Sequence, residues 1–189
     1  MKSTVNKEAL FDSLKKYIFE IRHPWLKGMV EAVLHSYAKE FCNAPAARSK
    51  HHAYPGGLLE HTCSVVKTAK FLYEQHPKYA ELDLILAGAI LHDLGKIKSY
   101  TWDGDKIVHS SSEELIHHIP LGMMMLKPFL DQFEIDPKKQ EAILHILASH
   151  HGIREWGSPV EPATKEATIV HLADLADARL TRITGLLNE

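Results

Sequence analysis

The sequence has no run of about 18 apolar residues, the length a membrane-crossing helix requires. That absence excludes a helical membrane span. Cysteine is scarce too: Cys42 and Cys63 are the only two in 189 residues, and they form no CxxC pair. Two isolated thiols build neither a disulfide framework nor a zinc finger, and they read as reduced thiols of a cytoplasmic protein. The net charge of −2 lacks the large excess of one sign that an extended nucleic-acid surface needs. It leaves room for a local basic pocket holding one phosphate group. The opening segment MKSTVNKEALFDSLKKY is polar and amphipathic and lacks the apolar centre of a signal peptide. No repeat, low-complexity tract or linker divides the chain, so residues 1–189 read as one domain.

Histidine, by contrast, is abundant. There are 14, against 10 glycines and 9 prolines. Neutral imidazole is a common metal ligand and titrates near neutrality, but any single histidine is more often a surface residue. The positions must therefore carry the argument. Nearly every segment has helical periodicity. Helices are predicted over Asn6 to Ile21, Trp25 to Phe41, Leu58 to Gln75, and about Ala80 to His92. Others are expected from Ser112 or Glu114 to before Pro128, Pro137 to about His151, and Thr164 or Lys165 to about Leu187. The segment SYTWDGDKIVHS, with Asp103-Gly104 between β-prone pieces, suggests a small hairpin near residues 100–109. The linker CNAPAARSKHHAYPGG and the segment GIREWGSPVEPAT read as irregular. The expectation is an all-α bundle of six to eight helices. Residues 1–43 form flanking helices, and residues 44–180 form a core with a site at its histidine-rich helix ends.

Several apolar helices carry an isolated polar residue. These are His61 in GGLLEHTCSVV, His92-Asp93 in AILHDLGK, His118 in LIHHIPLG, His150 in ILHILASHHG and Asp174 in IVHLADLADA. Burying such groups is costly unless something satisfies them. Five helix segments each offering nitrogen or carboxylate ligands to one interior is how metal sites are built inside helical bundles. Asp93 is the natural bridge, since its two oxygens can touch two ions roughly 3.5–4 Å apart.

The order His61, His92-Asp93, Asp174 resembles the signature of the HD-domain metal-dependent phosphohydrolases. His118 and His150 resemble the extra pair of members that hold two metals. APAARSKHHAYPGGLLEHT, LHDLGKI, HIPLG, SHHG and HLADLADAR resemble more closely the HD domain of the YhaM-type 3′→5′ exoribonucleases. That type carries an OB-type domain ahead of the HD domain, for which residues 1–43 are too few and too helical. The resemblance implies a helical fold and hydrolysis of phosphate esters by a metal-activated hydroxide. Its substrates would be nucleotides, cyclic nucleotides or short oligonucleotides. A nitrogen–oxygen ligand set favours one or two ions of Mn, Fe, Co, Ni or Zn over Mg. An oxygen-activating di-iron protein and a non-catalytic nucleotide-binding module are the alternatives.

His118 is preferred to His117 because a neighbour on the same helix points about 100° away. His150 is preferred to His151 as ligand, which leaves His151 near substrate. His145 reads as structural, and His171 as a supporting partner or a structural residue. Lys96 could be only a cation at a helix C-terminus; the reading adopted is that it reaches the substrate phosphate or the leaving oxygen. Arg48, Lys50 and His52 are candidates to bind phosphate, and Asp177 to contact a ribose hydroxyl or a supporting water. No membrane contact and no extended nucleic-acid surface are expected, and an oligomer is open.

Overall fold

The computed structural model describes residues 6–49 and 52–186, with side chains through Thr181. Helix α1 (Lys7–Glu20) begins where the Asn6 side chain accepts a hydrogen bond from the Ala9 amide, and α2 (Pro24–Ser36) begins on a proline. The Asp83 carboxylate accepts the amides of Arg22 and His23, tying the α1–α2 turn to a distant helix. A single helix to Phe41 is not what forms: the chain turns at Tyr37 and restarts as α3 (Ala38–Phe41). The interruption sets the Tyr37 ring edge-on to Phe129 and lets Phe41 enter the core.

Next come α4 (Gly57–Gln75), α5 (Leu82–Leu91) and the short α6 (Lys96–Ser99), which the sequence pattern did not indicate. Strands β1 (Tyr100–Asp103) and β2 (Lys106–His109) pair antiparallel, Tyr100 opposite His109. Their turn is Gly104-Asp105, one residue later than expected, with Gly104 left-handed at φ +56°. Then follow α7 (Ser111–Ile116), α8 (His118–Gln132), α9 (Pro137–Ser149), a 3₁₀ turn over Arg154–Trp156 in the expected loop, and α10 (Lys165–Leu186).

One helix was expected from about residue 112 to before Pro128. Instead α7 and α8 are separated at His117, whose φ of 71° and ψ of 151° lie in a region nearly reserved for glycine. The break aims His118 inward. Helix α8 then runs through Pro128 to Gln132. Proline cannot donate to the Met124 carbonyl, but both residues are solvent-exposed and water can take its place.

Helix α5 is the axis of the bundle. It packs against α1, α2, α4, α9 and α10, and every residue from Leu84 to Leu91 is buried. A helix apolar all round belongs in a core. Among the described residues no helix is long and apolar enough to cross a membrane. The C-terminal end of α5 delivers His92 and Asp93 into the centre, where α4, α8, α9 and α10 bring the other polar side chains.

Candidate metal centre

Six side chains expected to share a centre do meet. His61 Nε2 lies 3.2 Å from Asp93 Oδ2 and 3.2 Å from Asp174 Oδ1. His92 Nε2 lies 3.2 Å from Asp93 Oδ2 and 3.8 Å from Asp174 Oδ1. The other oxygen of Asp93 faces a second group: Oδ1 is 3.5 Å from His150 Nε2 and 3.7 Å from His118 Nε2. His151 joins this group, its Nε2 3.3 Å from that of His118. Ligands about 2.05 Å from a tetrahedral ion sit roughly 3.3 Å from one another. The observed separations have that scale in both groups.

The ring orientations follow from local structure. His92 ends α5 and donates Nδ1–H to the Ala89 carbonyl, 2.9 Å away. His150 ends α9 in the same way, on Leu147 O at 2.8 Å. Each satisfies a carbonyl that a helix terminus would leave unpaired. His151 Nδ1 bonds Trp156 O at 2.7 Å, and His61 Nδ1 bonds Asp177 Oδ2 at 2.7 Å. His118 Nδ1 lies 3.5 Å from Glu113 Oε1. With Nδ1 as donor, each Nε2 turns a lone pair inward. His61 Nε2 and His92 Nε2 then face each other at 3.3 Å, an arrangement a cation between them would relieve. Among the described residues, His150 Nε2 and Asp93 Oδ1 are buried with no hydrogen-bond partner beyond their long approach to each other. A polar interior left unsatisfied in this way fits a bound cation.

Burial works against the charge of Asp93, but Lys96 and His92 hold its carboxyl well below the usual carboxylate range. Lys96 is buried as well, with Nζ 2.6 Å from Asp93 Oδ2. Burial also opposes a charge on His61. Hydrogen bonds with Asp174, Asp177 and Asp93 nevertheless raise its pKa well above that of free imidazole, so a cation taken up at Nε2 would displace a proton from it. His118 goes the other way, pushed to about 4 by burial. His151 falls to about 2 through burial and its two histidine neighbours.

Two expected substrate contacts stand elsewhere. Asp177 is buried behind His61, and its Oδ2 is also 3.0 Å from His52 Nε2. His52 Nδ1 is in turn 3.0 Å from Tyr54 Oη, which donates to Glu60. His52 and Asp177 therefore support His61 from behind rather than line the cleft. Helix α10 explains this: Asp177 sits one turn past Asp174, so the two carboxylates hold opposite sides of one imidazole. Arg48 lines a neighbouring cleft, and Lys50 lies outside the described residues. His171 donates Nδ1–H to the His150 carbonyl, 2.8 Å away. His145 accepts the Ala163 amide.

Above the centre opens a cleft of about 430 Å³, with Lys96, His118, His151 and Asp174 at its floor. Trp156 and Arg179 stand on its wall, the guanidinium 5.6 Å from the indole ring. Neither was singled out in the sequence. Trp156 falls in a segment read as loop, and only the fold brings α10 alongside it.

A bundle whose late helix returns an aspartate to a His-Asp pair has the architecture of one family, and the chain belongs to it. The HD domain model matches residues 58–179. Among curated proteins, the chain is similar to the 3'-5' exoribonuclease YhaM of Listeria monocytogenes serotype 4b (strain CLIP80459). The two are 36% identical over 191 residues, 97% of this chain and 58% of that protein. The protein of the same name from Oceanobacillus iheyensis is 33% identical over 196 residues, 100% of this chain and 59% of its own length. The chain thus spans less than two thirds of these relatives. A second model, described as that of a helicase, matches residues 1–76. That stretch contains no GxxxxGK[ST] phosphate loop. No solved structure gives a significant match.

Proposed function

We propose that this chain is a metal-dependent phosphohydrolase acting on the phosphate esters of nucleotides or short oligonucleotides. His61, His92, Asp93 and Asp174 are assigned to one divalent cation. Asp93, His118 and His150, with His151, are assigned to a second. The observation that carries the reading is the set of four imidazole Nε2 atoms, of His61, His92, His118 and His150, within 3.7 Å of one carboxylate, three of their rings fixed from behind at Nδ1 by hydrogen bonds of 2.7–2.9 Å. The mixed nitrogen and oxygen donors suit Mn, Fe, Co, Ni or Zn better than Mg. Bound ions of this kind lower the pKa of a coordinated water from about 16 towards 7 and draw off charge from phosphoryl oxygens.

The chain's own groups account for the rest. Asp93 turns one oxygen to each ligand group and so fixes their separation. Lys96, held against Asp93 at the cleft floor, offsets negative charge that develops on the phosphoryl and leaving oxygens. Trp156 offers an aromatic face to a base, and Arg179 beside it a cation to a phosphate. The relatives' name supports the bond class, because an exoribonuclease cleaves phosphodiesters.

The test couples elemental analysis of protein purified with and without oxygen to hydrolysis of bis(p-nitrophenyl) phosphate, mononucleotides and short oligonucleotides. The expected result is bound transition metal and hydrolysis that chelation abolishes and Mn restores. Protein that binds no metal, or that consumes oxygen on iron and hydrolyses no ester, overturns the reading.

A further inference from the structure

Tyr100 opens β1 directly after α6 ends. It is the one residue of that strand that is not exposed. Of the six tyrosines in the chain, it is the one that lines the metal cleft. Lys96 precedes it by four residues, about one helical turn, and lines the same cleft.

The hairpin holds this ring in place. It packs against the ring of His109, its cross-strand partner, with 5.7 Å between centroids. The returning strand is tied back to α6 through Ser110. The Ser110 amide donates to Ser99 O at 2.9 Å, and its hydroxyl donates to Lys98 O at 2.6 Å. The two strands thus brace one phenol from behind.

The hydroxyl of Tyr100, unlike its ring, has no hydrogen-bond partner among the described residues. Tyr54 Oη, by contrast, donates to Glu60. The Lys96 ammonium can only donate, and it already gives a hydrogen to Asp93 Oδ2 at 2.6 Å. It cannot accept from the phenol. Burial pushes the Tyr100 phenol up from its ordinary value, and Lys96 only partly opposes this. The group therefore stays protonated at neutral pH and is a donor. The acceptor that fits it is an oxygen brought by the ligand.

In an in-line displacement the leaving oxygen points away from the attacking water. Attack from the cleft floor turns the leaving oxygen toward the walls, where Tyr100 stands. We infer that Tyr100 is a further catalytic residue of this site, its hydroxyl donating a hydrogen bond to the leaving oxygen as the ester bond breaks. That bond breaks with its electron pair on the leaving oxygen while the water oxygen bonds to phosphorus. The proton shed by the water reaches the leaving oxygen through solvent, and Tyr100 keeps its own. This rests on the phosphohydrolase reading and adds a donor to it.

The test uses Tyr100→Phe, which keeps the ring against His109 and removes one oxygen. Its kcat/KM is compared with that of the wild type for methyl p-nitrophenyl phosphate and methyl phenyl phosphate. p-Nitrophenolate spreads its charge and leaves with little help, whereas phenolate needs the donor. The variant is expected to lose at least about tenfold more on the phenyl ester, the low end for a hydrogen bond to a charged group. Bound metal should be unchanged by elemental analysis. A purely structural role would slow both esters alike. Calorimetry with inorganic phosphate, whose fourth oxygen takes the leaving position, needs no turnover, and there the affinity should fall about tenfold in the variant. Equal losses on the two esters, or an unchanged phosphate affinity, overturns the role of Tyr100 and leaves the phosphohydrolase reading standing. Wild-type protein that hydrolyses neither ester overturns that reading, and the catalytic role with it.

Discussion

The two ligand groups around Asp93 differ in what stands behind them. Behind His61 is a chain of side chains: Asp177, His52, Tyr54 and Glu60, each bonded to the next. That group also holds two carboxylates, Asp93 and Asp174. Behind His150 and His151 stand backbone carbonyls, and His118 has only a long contact to Glu113. This second group is three imidazoles and one shared oxygen, and it borders the open cleft. On the proposed assignment, charge and rigidity both favour a tight ion in the first group and an exchangeable one in the second. A carboxylate behind a histidine also raises its basicity as a ligand, which a carbonyl does more weakly.

The comparison can be broken from its centre outward. Asp93→Ala removes the shared oxygens, so both ions should be lost. Hydrolysis should fall on the order of 10³-fold, because such ions supply several kcal/mol. Circular dichroism should still report a helical fold. Lys96→Ala should cut kcat on the order of 10²-fold, as loss of a charge-stabilising donor does. Its metal content by elemental analysis should change far less. Asp177→Asn should weaken the first ion by about 10–100-fold in a competitive chelator titration while sparing the second. His118→Ala should do the reverse, lowering the metal-to-protein ratio by one ion at limiting metal. The smallest effect is expected from His117→Gly. Relief of a backbone conformation worth about 1–3 kcal/mol is partly offset by the entropy of glycine, about 1 kcal/mol. A rise of a few degrees or less in thermal midpoint would match.

Much of this was legible in the residues. The period of the helices, the hairpin and the six polar positions on apolar faces are local patterns, and a buried polar residue advertises itself against a leucine background. The turns at Tyr37 and His117 were not legible, because Phe129 and the buried centre impose them from elsewhere in the chain. His52 was read as facing a phosphate, and Asp177 as facing a ribose hydroxyl or a supporting water. Spacing shows that Asp177 lies near Asp174 but not which of them lies behind an imidazole from another helix. Trp156 and Arg179 were passed over for a related reason. A surface aromatic gains meaning only when the fold sets a cation and a cleft beside it.

Gly95 lies two residues past Asp93 and touches α8 backbone to backbone. A methyl group added there would come within 1.9 Å of the His118 carbonyl and 2.6 Å of the Gly122 amide. The gauge that separates the halves of the centre is therefore main chain on main chain, with no flexible rotamer between them. Any side chain at that position would act as a wedge, lifting His118 off Asp93 while His61, His92 and Asp174 kept their places. On the two-ion assignment proposed above, one methyl there would cost the second ion its place without touching a ligand.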